Sequence, residues 1–159
     1  MPPPMPMPMP MPPPPVPLEP WLEAPVRRAG QLTPTWRLVF GLGWALIIIG
    51  NAVVWESSRV IGLSTWWLGA DGEPRLILIQ LLPFYGPILV GTAAISNWRY
   101  APYLGIGVAA AGAAIGAGDF DRVRWIAVVE LVVAGAGICI SVASLAGMYR
   151  PAAAPDSTT

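Results

Sequence analysis

One ionisable side chain, Glu130, sits inside an otherwise apolar run of this 159-residue chain, RWIAVVELVVAGAGICI. A carboxylate in hydrocarbon is costly and is seldom placed there without a partner or a task. Asn51 and Gln80 are the comparable polar residues of two other apolar runs. Counted from the ends of their runs, all three fall at similar depth, on the side of the segment that carries Trp66 and Trp67. The expectation is a buried polar layer of Asn51, Gln80 and Glu130 beneath a Trp66–Trp67 lid or interfacial anchor. In it Glu130 would accept hydrogen bonds from the two amides, or hold a proton. One role for such a layer is fixing helix register; the other is a proton- or cation-responsive site.

Little other chemistry is offered. The chain has no His and a single cysteine, Cys139, so an intrachain disulfide is impossible and a zinc site lacks its usual ligands. No nucleophile–base pair, phosphate loop or haem ligand pair is visible, and no cofactor or metal is expected. All nine basic residues are Arg, against nine acids, with no basic run or face, which argues against nucleic acid as a partner. Ala, Gly, Pro, Arg and Trp used heavily without Lys suggest a GC-rich bacterial gene.

The elements that must position these residues follow from composition. Hydrophobic residues make up 55% and charged residues 11% of the chain. Soluble domains carry about 25% charged residues, so the expected solvent is a bilayer. Four apolar stretches approach or exceed the roughly 20 residues that a helix needs to cross it: residues 36–55, 75–97, 101–118 and 123–149. The fold class expected is all-α, a polytopic four-helix transmembrane up-down bundle over 35–150. The 56–74 segment, with Val60, Ile61, Leu63, Trp66, Trp67 and Leu68 near its centre, is expected to be a short interfacial helix. Twelve of the 20 prolines fall in residues 1–20, and proline denies both helix and sheet their hydrogen bonds. Residues 1–34 and 151–159 are therefore expected to be disordered tails. Trp36, Trp55, Trp98, Tyr100, Tyr103, Trp125 and Tyr149 mark the interfaces, and Thr33 and Thr35 are candidate N-caps. The arginines flanking the first helix, Arg27, Arg28 and Arg37, favour cytoplasmic termini.

In lipid, small residues draw helices together. Gly105, Gly112 and Gly116 stud the third helix, which is expected to be the central and least lipid-exposed one. On the fourth, Ala127, Glu130, Ala134, Gly137, Ser141 and Ser144 form one stripe, and Gly135, Cys139, Ala143 and Gly147 form another roughly opposite. Two small-residue faces suit packing within the chain and against a second copy or another membrane subunit. Pro83 and Pro87 predict a kinked or locally opened second helix.

The leading functional expectation is a non-catalytic accessory or assembly subunit of a larger membrane complex. The alternative is a small oligomeric transporter or channel using the polar layer around Glu130. A third rests on a five-residue resemblance: GAGDF (116–120) is similar to the GxGDF pattern around a catalytic aspartate of presenilin-type intramembrane proteases, and prepilin peptidases share GxGD. That chemistry implies a second aspartate facing Asp119 inside the bilayer. The others, Asp71, Asp121 and Asp156, are expected in loops or tail. GIGVAA (105–110) mimics a dinucleotide fingerprint but follows no strand.

Overall fold

A computed structural model describes residues 28–63, 65–70 and 73–150. The tail readings for residues 1–27 and 151–159 lie outside the described residues. Among the described residues five helices carry the fold: α1 (Pro34–Ile61), α2 (Ile77–Gln80), α3 (Leu82–Ile95), α4 (Ala101–Ala117) and α5 (Arg124–Leu145). A two-residue antiparallel ladder, β1 (Gly69–Ala70) with β2 (Glu73–Pro74), lies between α1 and α2. Two helices, α1 with 28 residues and α5 with 22, are long and apolar enough to cross a membrane.

The four long helices form a ring. α1 packs on α3 and α5, and α4 packs on the same two helices from the far side. No long helix is central, contrary to the expectation for the third apolar run. α4 turns Tyr103, Gly107, Ala110, Ala114 and Ala117 outward. The reason is geometric: a Gly/Ala helix can approach neighbours on any side, but four helices in a ring give each only two.

Boundaries shift where turn chemistry outweighs hydropathy. α1 runs past Trp55 to Ile61 and ends at Gly62, which adopts φ 70°. Gly62 N–H donates to Arg59 O and Leu63 N–H to Ser58 O, the pairing that closes a helix on a left-handed glycine. Thr33 is the extended N-cap and Pro34 the first helical residue, although the Thr33 side chain makes no capping bond. Residues 30–33, expected within a disordered tail, pair with residues 147–149: Thr33 N–H donates to Gly147 O and Tyr149 N–H to Gln31 O.

The second apolar run is broken at Leu81 into α2 and α3. Pro83 stands in the first turn of α3, where its missing N–H is tolerated. Pro87 lies inside α3 and leaves the carbonyl one turn back, that of Pro83, without its helical donor. Asn51 of α1 supplies the replacement, its Nδ2 donating to Pro83 O at 2.9 Å.

One core cluster gathers Leu32, Phe40, Trp44, Val90, Ala94 and Ala101 toward the termini. A second holds Val54, Trp67 and Leu68, with Trp55 and Trp66 packed against it. Trp55 bridges the second cluster, its ring 5.9 Å from Trp67 and 5.7 Å from Phe84.

Candidate functional site

The buried face of α5 is Ala127, Glu130, Ala134, Gly137, Ser141 and Ser144, the stripe that helical spacing marks. It fixes Glu130 toward the bundle, 8% exposed. Opposite it stands Gly116 of α4, where even a Cβ would lie 2.8 Å from that of Glu130. The glycine lets the α4 backbone close on the carboxyl.

Asp119 lies just beyond α4, in the turn to α5, and is fully buried. Its carboxyl and that of Glu130 lie within hydrogen-bonding reach of each other. The 62–76 segment supplies one donor to each. The Trp66 backbone N–H donates to Asp119 Oδ1 at 2.8 Å, and Trp67 Nε1–H donates to Glu130 Oε1 at 3.0 Å. Trp66 Nε1–H anchors the same loop to Ile115 O at 3.0 Å. Gly118 makes room for that indole, since a Cβ there would sit 2.9 Å from Trp66 Nε1. The other oxygens, Asp119 Oδ2 and Glu130 Oε2, are buried and have no hydrogen-bond donor among the described residues. Burial pushes the Asp119 carboxyl above the ordinary carboxylate range, against the pull of the Trp66 N–H and the charge of Arg122.

The loop is thus a clasp rather than the interfacial helix expected from its apolar centre. Trp67 is 1% exposed and Trp66 half-buried. Each indole N–H bonds an acceptor inside the bundle, and Gly62 and Gly69 (φ 79°) turn the chain too sharply for a helix.

Asn51, Gln80 and Glu130 do not bond one another. Asn51 is committed to Pro83 O. Gln80 Nε2 donates to Arg75 O at 2.8 Å, and its Oε1 accepts from Arg59 Nη2 at 3.4 Å. Asn51 and Glu130 do share the wall of one cavity of about 250 Å³, with Gln80 outside it. Trp44, Val108, Gly112 and Gly137 are among its lining, and the exposed residues Leu82, Tyr85 and Ala111 form part of its wall, so it opens between α3 and α4. Trp44 Nε1 is buried without an acceptor among the described residues.

Of the six glycines singled out for packing, five meet a neighbour. A Cβ at Gly105 would strike Ser141 and Trp44, one at Gly116 Glu130, one at Gly137 Ala109 and Ile47, and one at Gly147 the Trp36 ring; at Gly112 it would make ordinary contact with Ala134. Gly135 faces open space. The opposite stripe of α5 is therefore divided: Gly147 packs inside the chain, while Cys139 and Ala143 are exposed.

Asp119 as the partner of Glu130 is the residue missed by sequence reasoning. A signal existed, because Gly112, Gly116 and Asp119 follow one another at spacings of four and three, the face of α4 that meets α5. The group facing Asp119 is thus a glutamate; Asp121 is exposed, and Asp71 and Asp156 lie outside the described residues. Among the described residues no group of three or more His, Cys, Asp or Glu side chains could hold a metal. No family model, curated protein or solved structure matches the chain.

Proposed function

We propose that this chain is a four-span integral membrane protein whose Asp119–Glu130 pair takes up and gives up one proton, the working element of a small proton-linked transporter. Four spans are supported by large apolar side chains turned outward along the bundle, among them Leu42, Leu46 and Ile49 of α1, Leu89 of α3 and Val132 of α5. Water would not tolerate such a surface, whereas lipid favours it. On this reading α2 and α3 together make the second crossing. Both termini lie in the cytoplasm, and the clasp with its carboxyl pair faces the opposite side.

The observation that carries the functional reading is the pattern of satisfaction at the pair. Each carboxyl has one oxygen bonded to the clasp and one without a donor among the described residues. Two adjacent carboxylates repel strongly when both are ionised. A single proton held between Oδ2 and Oε2 answers both needs. The test is infrared spectroscopy of the reconstituted protein across pH. A carbonyl-stretch band of a protonated carboxyl should titrate and should disappear or move in Glu130→Gln and Asp119→Asn. A pH-independent spectrum in that region rejects the reading.

A second reading, an accessory subunit or homo-oligomer, is favoured by Gly135, Cys139 and Ala143 facing outward on α5 with open space over Gly135. Disulfide cross-linking through Cys139 in bilayers tests it, and monomer alone would count against it.

A further inference from the structure

We infer that the cavity between α3 and α4 binds a small lipophilic amine, whose ammonium group takes the place of the shared proton at Glu130. This deepens the proton-linked reading and rests on it. The cavity is apolar except at a few points, and its only carboxylate is Glu130. Glu130 is 8% exposed and lines the cavity, and among the described residues its Oε2 has no hydrogen-bond donor, so the carboxylate has acceptor capacity left for a ligand. Asn51 adds a polar side chain to the wall, its Nδ2 donating to Pro83 O. Trp44 and Tyr85 add aromatic rings, which attract cations as well as apolar groups. No Arg lines the cavity. Arg122 bears instead on Asp119, where it offsets that carboxylate's charge once the proton leaves.

A volume of about 250 Å³ is at or below the smallest usual ligand pockets, so the occupant is a one-ring or short-chain amine. Entry between Leu82, Tyr85 and Ala111 is lateral, from the lipid side, which selects molecules that partition into hydrocarbon. Charge and atoms balance as an exchange. The singly protonated pair carries one negative charge; RNH₃⁺ binds the Glu130 carboxylate as the proton on the pair departs to water. The complex then holds two carboxylates, one ammonium and the Arg122 cation nearby.

The experiment uses the full chain in nanodiscs, with 2-phenylethylamine as probe and 2-phenylethanol as its uncharged counterpart. Calorimetry against empty discs should show the amine binding at least tenfold more tightly than the alcohol. A pH dye in weak buffer should register one proton released per amine bound. Glu130→Gln should erase the preference. Ala111→Trp, at an exposed position on the cavity wall, should block binding while leaving the titrating carboxyl band intact. Equal binding of amine and alcohol, or amine binding that survives Glu130→Gln, overturns the inference. A titrating band without amine preference refutes the ligand assignment alone, whereas loss of the band refutes the proton-linked reading beneath it.

Discussion

The two ends of the bundle are held together by different means. At the termini, residues 30–33 are stitched to 147–149 by backbone hydrogen bonds, and the neighbouring core of Phe40, Trp44, Val90 and Ala94 is apolar. At the clasp, closure depends on the Trp66 backbone N–H and the Trp67 indole donating to two carboxyls, and among the described residues two carboxyl oxygens there lack a donor. Backbone pairing is insensitive to side-chain identity and to pH. A carboxyl pair is sensitive to both. The contrast separates a half built to hold the bundle from a half whose stability can be altered by one proton.

The strongest perturbation should come where helices approach on bare backbone. Gly105→Ala would press a methyl onto Ser141 and Trp44, and overpacking of this kind costs about 1–3 kcal/mol. SDS titration in mixed micelles would show a marked loss of stability, with Ser141→Gly partly restoring it; an unchanged midpoint would mean the termini half is looser than its packing implies. At the clasp, Trp67→Phe keeps the ring's packing but removes the donor to Glu130. A buried acceptor left unpaired costs about 1–3 kcal/mol, and the loop should also become open to protease.

A gentler probe of the same end is pH. The Asp119 carboxyl binds its proton more tightly when folded than when unfolded, because burial disfavours its charge. Its contribution is therefore fully present below the ordinary carboxylate pKa and is lost as pH rises through the raised folded value. Stability of the wild type should fall over that rise, and Asp119→Asn should flatten the profile. A fall that persists unchanged in the variant would move the pH sensitivity elsewhere.

Smaller still is Asn51→Ala, which strands the Pro83 carbonyl at a cost of about 1 kcal/mol. Adding Pro87→Ala should recover much of this, since residue 87 regains the N–H that bonds that carbonyl within the helix. Absence of rescue would show that Asn51 acts through the cavity rather than through the broken helix. Gly135→Ala, with open space over it, should shift the monomer's stability by less than about 0.5 kcal/mol. A larger loss in bilayers than in dilute detergent would point to a partner on that face.

Periodicity along α5 made its buried stripe readable, and the placement of Pro83 and Pro87 made the broken second run readable. Both depend on neighbours within a turn or two, where helix geometry is fixed by covalent structure and backbone hydrogen bonding. Depth counted from helix ends put Asn51, Gln80 and Glu130 in one layer, but only Asn51 and Glu130 share a cavity wall. Depth does not specify rotation about the helix axis, and Gln80 turns away to Arg75 and Arg59.

The sequence by itself determined an all-helical chain with apolar surfaces, a broken second run and a carboxylate held on the inward face of the last helix, because these follow from local hydrogen bonding and a 3.6-residue repeat. Tertiary structure alone decided that Asp119 meets Glu130, that the Trp66 backbone N–H and the Trp67 indole bond them, and that the helices close into a ring. Those contacts join residues 11 to 63 positions apart. Nothing local favours one such pairing over another until close packing brings the buried polar groups together and leaves them only each other as partners.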